Sequence, residues 1–378
     1  METSFVLPGL SGEVSAGFEP VRDTFARLWD NIEIGASLSI YQGGEPIINL
    51  WGGFTDRAAT IPWQRDSLVN TYSTTKGIVA LALALLVDRC DLDYDAPVID
   101  YWPQFGAESK FPISVAQLLS HQAGLYQFEP AITVDDLYAW QARTFQLASQ
   151  APAWTPGSAF GYHSITWGFL AGELIRQISG ISAGAFIQQN LSTPLNAAFY
   201  LGVPEEHQHH CTELIGPNHA RKLIEVNRKP VLKQLSPNDP VIAPYRHICS
   251  QAWRSAEIPA SNGHASAEGL ARIYAEIPDL ISKRTLLRAT REQTNGEIDL
   301  VLGQPLRRAM GFILNCEDVY FGPEPTAFGH TGTGGSIAFY DPVNEISFAY
   351  VMNQLHRDGR VRGKALIDSL YTCLSNRP

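Results

Sequence analysis

At 378 residues the chain is long enough for about two domains, and 45% hydrophobic with 17% charged residues is the balance of a globular protein with a large core. A formal net charge of −10 with no run of Lys or Arg argues against nucleic acid and anionic membranes as partners, and favours a small neutral or weakly charged molecule.

The N-terminal residues 1–10 carry no basic region and no apolar stretch of signal-peptide length, so a cytoplasmic protein is expected. Phe18, Val21, Phe25 and Leu28 recur at helical spacing and predict a first helix over 18–29. Residues 36–41 and 46–51 read as two strands of a hairpin, joined by Gln42-Gly43-Gly44-Glu45. An Ala- and Leu-rich helix is predicted over 75–89; its apolar run, 78–87, is about half a membrane span and marks a buried helix. Helical stretches punctuated by Pro and Gly follow, among them 115–119, 167–178 and 183–190. Beyond Ser266 come a helix at 267–276, strands at 309–314, 336–340 and 346–352, and a last helix at 361–374. Strands at both ends and helices between predict an α/β sheet domain made of 1–75 and 266–378, with a mostly helical domain of 76–265 inserted. The five cysteines, Cys90, Cys211, Cys249, Cys316 and Cys373, are scattered and read as reduced thiols.

Three short segments carry candidate chemistry. In Ser73-Thr74-Thr75-Lys76 the Ser and Lys share one face of a helix start, where a Lys can serve as the base a Ser hydroxyl needs. The helix N-terminus favours the charge developing on the Ser oxygen. Such a pair also arises by chance, as a capping Ser with a solvated Lys one turn on. Tyr162-His163-Ser164 offers a phenol that can pass protons if a cation stands beside it, although a Tyr next to a Gly-rich turn is more often a packing residue. His330-Thr331-Gly332-Thr333-Gly334-Gly335-Ser336 precedes an apolar strand and is either a plain Gly-rich turn or a place where main-chain amides meet a ligand.

In this order the three segments resemble the serine β-lactamase and penicillin-binding-protein superfamily, marked by S-x-x-K, Y-x-S/N and H/K-T-G. The similarity is closest to class C β-lactamases, H-T-G peptidases and family VIII carboxylesterases. Residues 118–125, Leu-Leu-Ser-His-Gln-Ala-Gly-Leu, and 168–173 extend it. The resemblance implies a two-domain β-lactamase-like fold, an antiparallel sheet flanked by helices plus a helical domain, with the site in the cleft between. It implies Ser73 as acylated nucleophile, Lys76 and Tyr162 as proton carriers, and the amides of Ser73 and Thr333 as oxyanion hole. Ser164, His330, Gly332, Gly334, Tyr126 and His264 are the expected substrate-binding residues. No cofactor and no metal are expected. Class C β-lactamases carry Asn where Ser164 stands and Lys where His330 stands, so this chain fits the esterases better. An acyltransferase, amidase or β-lactamase using the same residues is the near alternative, and a silent binding protein on this fold the distant one.

Two further patterns are weighed and set aside. Gly180-Ile181-Ser182-Ala183-Gly184 matches a nucleophile elbow, but helical spacing precedes it where a strand is needed, so Ser182 is expected to cap a helix. His207-Gln208-His209-His210-Cys211 holds metal-ligand types too close together to converge on one ion and is expected to be a solvated loop. Asn262-Gly263-His264 either lines the cleft or forms a capping turn.

Overall fold

A computed structural model describes residues 3–4, 9–30, 33–216, 245–356 and 359–376. Eleven strands are present in the described residues: β1 (Thr3–Ser4), β2 (Leu10–Val14), β3 (Gly35–Gln42), β4 (Glu45–Gly53), β5 (Val69–Asn70), β6 (Phe199–Tyr200), β7 (His264–Ala265), β8 (Ile313–Leu314), β9 (Phe328–Thr331), β10 (Ile337–Asp341) and β11 (Ile346–Met352). Eight of them form one antiparallel sheet in the order β1-β2-β4-β3-β11-β10-β9-β8. The two halves of the chain meet at β3 and β11, paired from Ile346↔Gln42 to Met352↔Ala36. The β3–β4 hairpin turns on Gly43 (φ 58°) and Gly44 (φ 83°), a double left-handed turn whose twist suits antiparallel strands. A second sheet, β5-β7-β6, has its strand β5 just ahead of Ser73 in the chain.

Side chains on β11 show how the sheet is covered. The Ser347 hydroxyl donates to the Ala271 carbonyl of the helix Ala267–Ala275. Tyr350, three residues on, points the other way, as strand alternation requires. It meets Phe25 of the helix Glu19–Arg27 edge-on at 6.4 Å and lies under the Arg362 guanidinium of the C-terminal helix Arg360–Ser375. With both faces packed, β3 and β11 are almost wholly buried, and β11 is apolar at every position but Ser347.

The helix Thr75–Asp88 is buried all round from Thr75 to Val87, so it runs through the interior instead of showing a wet face. It packs against the helix Thr166–Ser179. Gly77 permits a close crossing, since a Cβ there would come within 2.0 Å of the Tyr274 hydroxyl. The run expected as a strand over 309–314 is extended only at Ile313–Leu314. Gly311, at φ 86°, and the Ala309–Phe312 hydrogen bond fold the preceding residues into a turn.

Candidate active site

The turn that carries Ser73 is bolted down on both sides. Thr71 donates its amide to the Gly263 carbonyl at 2.8 Å and its hydroxyl to the same oxygen at 3.0 Å. Its own carbonyl accepts from the Ser336 hydroxyl at 2.7 Å, and Ser336 also meets the Thr74 hydroxyl at 3.0 Å. Between these anchors Tyr72 sits at φ 48°, a left-handed backbone that a Tyr adopts only under constraint. The chain then enters the helix Thr75–Asp88. Ser73 stays partly exposed at the start of this buried segment.

One helical turn on, the Lys76 side chain is wholly buried. Its Nζ donates to Ser73 Oγ at 3.3 Å and to the carbonyls of Ser164 and Ala260 at 2.8 and 2.9 Å. The Ala260 carbonyl is presented by a loop wound around Asn262, whose side chain bonds the main chain of Trp253, Ala256 and Ile258. Ser164 reaches the site through its main-chain carbonyl, which accepts from Lys76.

Tyr162 Oη lies 2.7 Å from Ser73 Oγ, and its ring centroid lies 4.9 Å from Lys76 Nζ. Burial pushes the phenol pKa up. The Lys76 charge, hydrogen bonding with Lys76 and Ser73 and the charge of Arg308 more than offset this and hold it below the ordinary tyrosine value. The Ser, Lys and Tyr singled out in the sequence thus form one contact group.

The third segment borders this group. His330 and Thr331 end β9, and Thr333-Gly334 form the turn into β10. The His330 ring lies over that of Tyr162 at 6.5 Å, with Nδ1 2.8 Å from the Thr331 carbonyl. Burial, then the Lys76 and Arg308 charges, hold His330 well below the usual imidazole range, so it is neutral at pH 7. Gly332 packs directly on the Ser73 turn. The Gly334 carbonyl accepts from Arg362, which is itself in a buried ion pair with Glu33 at 2.7 Å. Tyr126 stacks on Trp154 at 5.8 Å and, with Val301, forms a small apolar cluster beside Tyr162.

His264 departs from its expected place in the cleft. It is the buried central residue of the second sheet, with Nδ1 2.8 Å from the Asn262 carbonyl, and burial pushes its pKa down to about 3. Main-chain pairing at the neighbouring Gly263, which braces Thr71 and Thr75, is what this stretch contributes. Ser182 caps the helix Ala183–Ile187 through the Ala185 amide and donates to the Glu257 carboxylate. His207 to His210 form a short helical turn, His210 contacting Asp66 at 3.2 Å. Among the described residues no group of three or more side chains is arranged to hold a metal.

Sequence reading missed the support behind Tyr162. Asp299 Oδ1 accepts the amides of Tyr162, Val301 and Leu302, each at 2.9 Å. Arg308 places its guanidinium carbon 4.7 Å from the Tyr162 ring centroid. His121, itself at φ 67°, accepts the His163 amide on Nδ1 at 3.0 Å, and the His163 Nε2 accepts the Leu125 amide at 2.9 Å. These residues sit in loops without periodicity. Only His121 had a signal, in the segment 118–125.

Residues 21–371 match the model of the β-lactamase family. The chain belongs to that family. Within it, an esterase/β-lactamase of Mycobacterium tuberculosis, LipL, is 32% identical over 337 residues, which is 85% of this chain and 77% of that protein. A solved family VIII carboxylesterase is 36% identical with a TM-score of 0.87, covering 96% of this chain and 99% of that one. A penicillin-binding-protein homologue from Caulobacter crescentus matches with the same TM-score, at 34% identity over 96% of this chain and 99% of its own. The antiparallel sheet flanked by helices is the fold of this family.

Proposed function

We propose that the protein is a serine carboxylesterase that acts on small carboxylic esters through an acyl-enzyme on Ser73. The observation that carries this reading is the position of Ser73 Oγ, 2.7 Å from Tyr162 Oη and 3.3 Å from Lys76 Nζ. Two carbonyls already take hydrogen bonds from the Lys76 ammonium. Lys76 then acts mainly as a fixed charge, and Tyr162 carries the proton.

In acylation Ser73 Oγ gives its proton to the Tyr162 phenolate and bonds to the ester carbonyl carbon. The amides of Ser73 and Thr333 receive the oxyanion. Collapse breaks the bond to the alcohol oxygen, which leaves with the proton from Tyr162. Water repeats the sequence, losing a proton to Tyr162 as it attacks. The second collapse releases the carboxylic acid and returns the proton to Ser73. The apolar cluster of Tyr126, Trp154, Leu300 and Val301 beside Tyr162 supports a neutral substrate. So does neutral His330, which brings no charge to hold a carboxylate.

The cleft in this reading lies between the sheet domain of 1–75 and 266–378 and the helical domain of 76–265: His330 comes from the first and Tyr162 from the second. Five free thiols support a cytoplasmic setting, and in the described residues no helix is long and apolar enough to cross a membrane.

The test is a comparison of substrates. At pH 7.5, kcat/KM for p-nitrophenyl butyrate is expected to exceed that for nitrocefin by at least ~10²-fold, roughly 2.7 kcal/mol in transition-state stabilisation. Equal values would favour the β-lactamase reading.

A further inference from the structure

The buried pair of Arg308 and Asp299 has an unusual shape for a structural salt bridge. Two better-matched pairs are two-pronged and short, Arg65 meeting Glu268 at 2.7 and 2.8 Å and Arg176 meeting Glu173 at 2.9 and 2.6 Å, and the other fully buried pair, Arg362 and Glu33, is in contact at 2.7 Å. Arg308 and Asp299 are 2% and 0% exposed, yet they share a single contact of 3.4 Å. Asp299 Oδ1 is spent on three amides, including that of Tyr162. Arg308 Nε has no hydrogen-bond partner among the described residues. A cation this poorly matched to its acid and shut away from water is stabilised by the face of an aromatic ring, and more by an ionised ring than by a neutral one. The ring beside it, at 4.7 Å, is that of Tyr162.

We propose that Arg308, tethered by Asp299, is a positioning residue that seats the Tyr162 ring and supplies the second fixed positive charge that makes this tyrosine a base. Asp299 holds the main chain of Tyr162 while Arg308 holds its ring, so one buried pair sets both the place and the ionisation of the phenol. The other groups facing Tyr162 are the Lys76 ammonium, the Ser73 hydroxyl, and the rings of His330 and His121. Burial first, then nearby charge, holds both imidazoles well below their ordinary range, so neither competes as a cation near neutral pH. A guanidinium keeps its charge in proteins, which suits an arginine to this place. Its effect on Tyr162 is therefore constant, while substrate binding and proton transfer change around it.

The inference rests on the reading of Tyr162 as proton carrier, and the experiment separates the two. The full chain is labelled with [13Cζ]tyrosine, and the Tyr162 signal is identified by its loss in Tyr162→Phe. Its titration midpoint is then followed in the native protein, Arg308→Met and Asp299→Asn. Arg308→Met is expected to raise the midpoint by about one pH unit, through loss of a nearby positive charge. Asp299→Asn keeps an oxygen for the Tyr162 amide but removes the opposing negative charge, so the midpoint is expected to fall. A merely structural pair gives no such opposite shifts. A folded Arg308→Met with the native midpoint overturns the proposal. Should that variant fail to fold, an unchanged midpoint in Asp299→Asn overturns it equally. The acid limb of kcat/KM for p-nitrophenyl butyrate is expected to move with the midpoint. A midpoint that moves while the limb stays supports the hold of Arg308 on the ring and refutes Tyr162 as the base.

Discussion

Gly332 is the point where β9 presses on the turn that carries Ser73, and Gly332→Ala tests that packing. A Cβ at this residue would lie 2.1 Å from Ser336 Oγ, 2.2 Å from the Thr71 carbonyl oxygen and 3.0 Å from Thr74 Oγ1. Those atoms are the bolts of the Ser73 turn, joined by the Ser336–Thr71 and Ser336–Thr74 hydrogen bonds. The Ser336 hydroxyl can rotate away, but the Thr71 carbonyl is main chain and cannot. Ordinary contact distances then demand that the two walls separate by about 1 Å, and a shift of that size in a catalytic group costs on the order of 10²-fold. The stability loss combines about 1 kcal/mol for the broken Ser336–Thr71 bond with roughly 1–3 kcal/mol of overpacking. The assay is p-nitrophenyl butyrate turnover beside thermal unfolding. A fall of at least ~10² in kcat is expected, with a lower Tm but a cooperative transition. Adding Ser336→Ala is expected not to restore activity, since the Thr71 oxygen remains in the way. Native kcat and native Tm in Gly332→Ala would refute this account of the packing.

Ser182→Ala removes a helix cap and a hydrogen bond to Glu257, so it is expected to cost about 1 kcal/mol in thermal or urea unfolding while kcat stays native. Activity lost in the folded variant would reinstate the elbow motif as nucleophile. Lys76→Ala and Tyr162→Phe are each expected to lower kcat by at least ~10²-fold, with the double variant little worse than the poorer single. Multiplying losses would mean the two act independently. His163 and His264 are buried with pKa values pushed down to about 3, so the unfolded chain takes up protons below pH ~6.5 that the folded chain refuses. Their share of stability is present above ~6.5 and is lost as pH falls, roughly 2 kcal/mol for each between pH 7 and 5. Urea unfolding at the two pH values measures the loss, which is expected to shrink by about that amount in His264→Gln. An undiminished loss in that variant would contradict the assignment.

Local signals made much of the sheet legible. The alternation flanking Gly43-Gly44 marked the β3–β4 hairpin, and the apolar run Ile346–Met352 is strand over its full length. The helix Thr75–Asp88 was visible from its unbroken Ala and Leu content. Leu10–Val14 escaped notice because Ser11, Gly12 and Glu13 give it no apolar alternation, and it pairs with the outer side of β4. Of the site, Ser73, Lys76 and Tyr162 could be picked out because their spacing within motifs resembles a family. Arg308 and Asp299 could not be. They meet Tyr162 from loops more than a hundred residues away in the chain, and nothing local in Pro305 to Met310 betrays a cation facing a ring. His264 misled because a His after Asn-Gly reads as a cleft residue, whereas strand pairing with β5 and β6 takes its side chain into the interior.

The account turns on a covalent bond between Ser73 Oγ and the acyl group of the substrate. Brief reaction with p-nitrophenyl butyrate, an acid quench, and intact-mass and peptide-mapped mass spectrometry measure that bond directly. A butyryl adduct confined to the peptide containing Ser73, and missing in Ser73→Ala, is the result the account predicts. An adduct on Ser182 or another residue, or turnover preserved in Ser73→Ala, contradicts it.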